Sequence, residues 1–329
     1  MKKSRFALYM CIFGAAAVLS ALLGCAAGAA QMSLPEVIDA IFTGSGTNGI
    51  IVRTLRLPRV LAALLVGGAL PVCGCALQGL FKNPMADTGI LGISAGASLG
   101  VTFCLLFCSK AAGLISTFAF IFGCLTVVLI YALSRICRGS TLGLILSGVC
   151  VSAFLSAIQN FLLMSDNTKL EQVYGFMMGS LSGASWQQLS WSAPLIIAGC
   201  TGIMLLARPL NLLQSGSEQA VSAGLNEPAV RVALLALSAL VCSSAVALSG
   251  TISFVGLIIP HCMRYLTGGD FRRLLPLSFV CGSGFMVLAD LLARSVIAPL
   301  ELPIGVLTAI LGAPLFFSLM VRRRDGAKD

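Results

Sequence analysis

Long apolar runs, separated by short polar breaks, recur from one end of this chain to the other. Their spacing predicts ten helices, at 6–28, 58–80, 88–108, 112–135, 141–164, 190–207, 229–249, 253–267, 274–297 and 304–321. All but the eighth have the length of about twenty residues that a bilayer core demands. The eighth is short and holds Pro260, which is expected to break it. Polar-rich connections fall at 31–59, 165–188 and 208–231. The stretch 56–100 opens with arginines, runs apolar, breaks at Lys82-Asn83-Pro84 and resumes as a Gly-rich apolar run. Two membrane crossings joined by a tight polar turn fit that pattern. Helices two and seven lie five apart. Each begins near an arginine, Arg59 or Arg231, and leads into a Gly/Pro-broken segment. That points to two weakly related, inverted five-helix halves. The expected fold is an all-α polytopic membrane protein of about ten transmembrane helices, with both termini cytoplasmic. Residues 1–329 read as one membrane domain with a cytoplasmic loop at about 208–230 and a basic tail at 322–329.

Composition agrees with the pattern. Hydrophobic residues make up 58% and charged residues only 10%, against about 25% charged in a soluble domain. In a soluble protein the net charge of +9 would suggest nucleic acid; here it orients the chain. With the N-terminus inside, fifteen of the 21 Lys and Arg fall on the inner side, and Arg53, Arg56, Arg59, Lys110, Lys169 and Arg294 fall outside. The first residues look like a secretion signal ending at Cys25. Leu23 suits cleavage poorly, however, and the apolar run continues to Ala30, so an uncleaved first helix is expected. Thirteen cysteines with no CxxC, beside a single histidine, His261, read as small buried thiols rather than a metal site. The glycines of helices three to five, as in Gly92-Ile93-Ser94-Ala95-Gly96, read as packing contacts, because small residues let backbones approach in lipid.

Few residues carry chemistry. The sequence has no GxxxxGK[ST] phosphate loop, so an ATP-driven process needs a motor on another chain. Asp290 is the acid well inside an apolar run, and a charge at membrane depth demands a partner. Arg294 lies one turn on, on the same face, and predicts an intramembrane ion pair. The alternative is a proton or ion relay in a secondary transporter. Arg53, Arg56 and Arg59 form a basic row at the outer mouth of helix two. With Arg294 they run against the positive-inside trend, as an acidic soluble partner docking on the outer face would require; headgroup contact is the plainer reading. In the loop 208–231, Gly216 and Gly224 bracket a short stretch, Ser217 to Ala223. Ser217 is expected to cap its start and Gly224 to end it. A small helix at the cytoplasmic surface is something a motor could grip; an ordinary connector is the other reading.

Several separated segments resemble the permease subunits of ATP-binding-cassette importers for iron chelates, heme and vitamin B12. They are RLPR and NPMAD, the loop SGSEQAVSAG, then GTISFVGLIIPH, LADLLAR and APLELPIGVLTAILGAPLFF, in the family's order across roughly residues 50–320. The resemblance implies a dimer of permease subunits, expected here to be a homodimer, around a central path. It also implies two ATPase subunits that carry ATP and Mg, and an extracytoplasmic binding protein. This chain itself would bind no cofactor and do no covalent chemistry. Arg56, Arg59 and Arg294 match the family's binding-protein docking arginines. Gln214, Ser215, Gly216, Ser217, Glu218, Gln219, Ala220, Val221 and Gly224 match its coupling segment, to which Asn83 and Pro84 add from the same side. The sequence departs from the family pattern at Thr88, Ser217, Val221 and Ala223, so contacts with the ATPase are expected to be particular to this chain. An iron-siderophore is the first expectation for the cargo, with heme and vitamin B12 behind it. A membrane scaffold or sensor that transports nothing stays open as a further reading.

Overall fold

The computed structural model describes residues 3–27, 32–42, 46–108, 113–136, 141–297 and 300–325; the side chains of 3, 141, 167, 217, 218 and 318–325 lie outside that description, as do Lys110 and the tail 326–329. The described residues form α-helices and connecting turns, with no strand among them. In chain order the helices are α1 (Lys3–Ala26), α2 (Leu34–Phe42), α3 (Gly46–Ile51), α4 (Leu57–Leu80), α5 (Ile93–Phe107), α6 (Ile115–Ile136), α7 (Thr141–Ser165) and α8 (Leu170–Met178). There follow α9 (Trp186–Leu205), α10 (Ala207–Ser215), α11 (Ser217–Ser222), α12 (Glu227–Ser249), α13 (Val255–Thr267), α14 (Phe271–Ser295) and α15 (Ile304–Asp325). Seven stretches are long and apolar enough to cross a membrane, and Ile93–Phe107 and Ile304–Phe317 are shorter apolar helices.

Each predicted helix has a counterpart, with three differences in detail. The second helix has its predicted bounds to within one residue, at Leu57–Leu80, but helical backbone continues ahead of it to Gly46. Pro58 has no N–H to carry an α ladder across this point. A π turn at Val52–Arg56 absorbs the gap, and the Leu57 N–H reaches back to the Val52 carbonyl. The eighth helix is not broken at Pro260, for α13 runs straight through it. Pro260 leaves the Gly256 carbonyl without its usual intrahelical donor, and Gln78 Nε2 supplies one from α4 at 3.3 Å. The irregular backbone lies ahead of α13, where Phe254 holds a left-handed φ of 69°. Finally, the connections 31–59 and 165–188 are themselves largely helical, holding α2, α3 and α8.

α4 is the axis of the molecule, buried along nearly its whole length and packed against α1, α9, α10, α12, α13 and α14. Glycine permits those approaches. A Cβ on Gly67 would sit 2.4 Å from the Gly282 carbonyl oxygen of α14, and one on Gly74 would sit 1.9 Å from that of Gly256 in α13. In lipid, where apolar burial gives no net drive, such close backbone contact is a principal source of helix association. The predicted packing glycines behave likewise. A Cβ on Gly96 would lie 2.0 Å from Thr126 Oγ1, and one on Gly100 would lie 2.6 Å from the Phe118 carbonyl oxygen, so α5 and α6 are in close contact. Gly92 turns the chain into α5 at φ 63°, a conformation strained for any residue with a side chain. Of the cysteines described, Cys25, Cys73, Cys75, Cys104, Cys200 and Cys242 are buried and reduced.

Candidate functional site

Two polar clusters stand at opposite ends of the bundle. The first gathers the odd arginines. Arg59, at the start of α4, donates from Nε to both oxygens of Asp290 at 3.0 and 3.1 Å. Its terminal nitrogens make a two-pronged contact with Glu301 at 2.9 and 3.0 Å. Such forked geometry suits a planar guanidinium. Arg294 pairs with the other side of Asp290 at 3.7 Å and donates to the Gly24 carbonyl. Arg56 donates to the carbonyls of Cys25 and Ala26 at 2.7 and 2.9 Å. Arg56 and Arg294 thus cap the C-terminus of α1, where the last carbonyls lack intrahelical donors and the helix dipole favours a cation. The predicted pair of Asp290 with Arg294 exists, but Arg59 is the closer partner of Asp290.

The cluster is sequestered rather than displayed. Asp290 is 1% exposed, Arg294 8% and Arg59 12%, while Glu301 is 43% exposed. Arg56 is buried too. Three cations against two carboxylates leave the site positive. Glu301 had drawn no notice in the sequence because it lies outside the apolar runs, and only the fold sets it against Arg59. Arg53 remains exposed and donates to the carbonyls of Ile41 and Phe42, which ties α2 to the π turn.

The second cluster lies at the other end. Asn83, Pro84 and Lys82 of the turn after α4, Gln214 of α10, and His261 and Arg264 of α13 line one depression of about 480 Å³. The structure therefore brings together the turn and the loop that the sequence placed on one side. Arg264 donates to Gln78 Oε1 at 2.8 Å, so one buried glutamine links the arginine to the carbonyl freed by Pro260. A second depression, of about 570 Å³, adjoins Gln214 and Ser215 and reaches Asp270 and Arg272. Asn211 clamps α10 to α14: its Nδ2 donates to Asp270 Oδ1 at 2.8 Å and its Oδ1 accepts from the Phe271 N–H at 3.0 Å. Burial alone would raise the Asp270 carboxyl, but the Asn211 amide, the Arg272 N–H and the charges of Arg272 and Arg273 together hold it below its ordinary value.

The short helix between the two glycines forms as α11. Ser217 is not its cap, however: Gly216 occupies that position at φ 129°, and Ser217 is the first helical residue. The side chains of Ser217 and Glu218 lie outside the described residues. Gly224 ends the helix as expected, at φ 79°. The Leu225 N–H bonds the Ala220 carbonyl and the Gly224 N–H that of Val221, the crossed pair of a glycine-terminated helix. Ala220 is buried beneath, while Val221 is 60% exposed. Gln214, Ser215 and Gln219 are exposed beside it.

Comparison with known proteins gives the family. The model of the FecCD transport family matches residues 16–322. The hemin transport system permease protein HmuU of Yersinia pestis is 42% identical, with 82% of this chain and 83% of that one aligned. The Fe(3+) dicitrate transport system permease protein FecD of Escherichia coli K12 is 38% identical over 92% of this chain and 96% of its own. A solved inward-facing structure of a metal-chelate type ABC transporter superposes with a TM-score of 0.87 at 31% identity, covering 95% of this chain and 98% of that one. The chain belongs to the FecCD transport family and is the membrane-embedded permease subunit of an ATP-binding-cassette importer, working with ATPase and binding-protein partners in the cell membrane.

Proposed function

We propose that this permease carries a metal chelate inward, an iron-siderophore or heme before cobalamin, as one half of a homodimer. The hemin and iron-dicitrate transport of its relatives supports the cargo class. A second permease copy beside this one follows the two-permease plan that the family resemblance implies. The single domain does no hydrolysis itself. ATP and Mg belong to the partner ATPase, in keeping with a sequence that has no phosphate loop.

The observation that carries the mechanism is the position of α14. Its first turn is tied by Asn211 to α10, beside the coupling segment, and its last turns carry Asp290 and Arg294 at the far end. Motion imposed on Gln214 to Gly224, with Asn83 and Pro84 alongside, reaches the delivery face through one helix. At that face Arg56, Arg59 and Arg294 receive the binding protein. Because their guanidinium groups are already engaged, docking exchanges partners: an incoming carboxylate displaces the exposed Glu301 from Arg59, while buried Asp290 stays. A relay through Asp290 is disfavoured by its two arginine partners. The test is affinity for the cognate binding protein in detergent at low salt. Glu301→Gln is expected to tighten it and Arg59→Glu to weaken it, both effects shrinking with added salt. Unchanged affinity in both variants would refute docking at this cluster.

A further inference from the structure

A groove of about 650 Å³ runs along the flank of the bundle, with α1 on one side and α9 on the other. α4 and α14 form its floor, through Leu61, Leu65 and Phe279 among others. It exists because the flanking helices carry small residues there, Gly14 and Ala17 on α1 and Ala193 on α9. A Cβ placed on Gly14 would meet nothing within 4 Å. All four walls belong to helices long and apolar enough to cross a membrane, so the surrounding medium is hydrocarbon.

The chemistry of the lining selects the occupant. Its two hydroxyls are spent, since Ser190 Oγ donates to the Gln187 carbonyl at 2.8 Å and Ser283 Oγ to that of Leu64 at 2.7 Å. A polar ligand would find no free hydroxyl donor in an otherwise apolar lining, and the volume lies in the range of about 300–1,000 Å³ that specific sites show. The lining stretch of α9, from Trp186 to Ile197, spans about 16 Å at about 1.5 Å per residue. That is half of a hydrocarbon core of about 30 Å, the depth of one leaflet. At the Trp186 end the indole N–H donates to the Arg53 carbonyl at 2.7 Å. Tryptophan is enriched at the membrane interface. Arg53, whose backbone holds the indole, is exposed, and its guanidinium donates to the carbonyls of Ile41 and Phe42 through Nε and one terminal nitrogen.

We propose that this groove binds one acyl chain of an outer-leaflet phospholipid, with the headgroup phosphate at Arg53 and the chain running inward from Trp186. The lipid would fill the gap between α1 and α9, on a face apart from both polar clusters.

Tryptophan fluorescence tests this in the full chain. The protein has two tryptophans, and Trp191 packs edge-on against Phe120 at 5.6 Å, so Trp191→Phe leaves Trp186 as the reporter. The protein is reconstituted in mixed phosphatidylethanolamine and phosphatidylglycerol vesicles containing lipid brominated in mid-chain. Trp186 is expected to be quenched at low brominated fraction. Adding Gly14→Leu with Ala193→Leu fills the groove and is expected to raise the fraction needed about tenfold, as displacement of two or more buried methylenes implies. Gly14→Leu alone, at a position with open space, is expected to shift it in the same direction. Identical curves for open and filled protein would mean bulk annular lipid only and overturn the proposal. Absence of quenching in both, with loss of the dimer on filling, would assign the groove to a second copy and overturn it equally.

Discussion

Asp290 shows how a single residue is fixed by what membrane burial costs. An unpaired charge at this depth costs about 2.5–3.5 kcal/mol even on insertion scales, and here two arginines answer it. Removing the carboxylate leaves those cations buried without it, for which about 3–5 kcal/mol is typical. Asp290→Ala should therefore lower the thermal unfolding midpoint of the purified permease sharply, and a midpoint like that of the native chain would contradict the ion-pair role. Glycines divide by what they touch. Gly74→Ala drives a methyl into the Gly256 carbonyl and should cost about 1–3 kcal/mol as overpacking, whereas Gly14→Ala, in open space, should be close to neutral. The same unfolding measurement separates them. At this scale the sequence was only partly legible. The need of Asp290 for a cation followed from hydropathy, and Arg294 from helical spacing. Arg59 as a partner of Asp290, and Glu301 as a partner of Arg59, could not be found this way, because those contacts join residues 231 and 242 positions apart.

At the scale of elements, termini carry the information. Asp270 caps α14, accepting from the Arg272 N–H at 3.1 Å, and also holds Asn211 of α10. Asp270→Ala should cost about 1 kcal/mol as a lost cap and loosen α10. The sign of its pH dependence follows from a carboxyl held below its ordinary value of 3.8 in the fold. Its contribution is complete above that value and fades as pH falls through the lower, folded one. Asp270→Asn should keep most of the cap and remove the acid-side loss, which unfolding midpoints measured from neutral to acid pH would reveal. Gly224, at φ 79°, ends α11, and a side chain there costs about 1–2 kcal/mol in a left-handed conformation. Gly224→Val should leave the bundle folded but impair stimulation of the partner ATPase by cargo-loaded binding protein. Unaltered stimulation would show that α11 does not couple. The long apolar helices were legible because a crossing has to satisfy the bilayer length, and the shorter α5 and α13 because they too are apolar runs bounded by polar breaks. Helices α2, α3, α8 and α10 were not, since they are short and rest on tertiary contacts. The continuation of α4 back to Gly46 was hidden by Pro58, whose usual meaning as a boundary is overridden by the π turn.

Over the whole molecule, α4 and α14 cross at Gly67 and Gly282 and connect two polar ends through an apolar middle. The face proposed for delivery is cationic and closed by Glu301; the opposite face presents α10, α11 and the Asn83-Pro84 turn around two depressions. Nothing in hydropathy alone gives these ends their roles. Charge topology marked the arginines as anomalous, the motif order tied both ends to one family, and the fold showed them joined by one helix. The central claim is that cargo enters at one end only when a separate motor acts at the other. Uptake of radiolabelled ferric chelate or heme into proteoliposomes, with ATP enclosed on the ATPase side, tests it most directly. Accumulation should require the permease, its ATPase and the loaded binding protein together, and should cease when any one is omitted. Uptake that persists without the ATPase, driven by an ion gradient alone, would contradict the account.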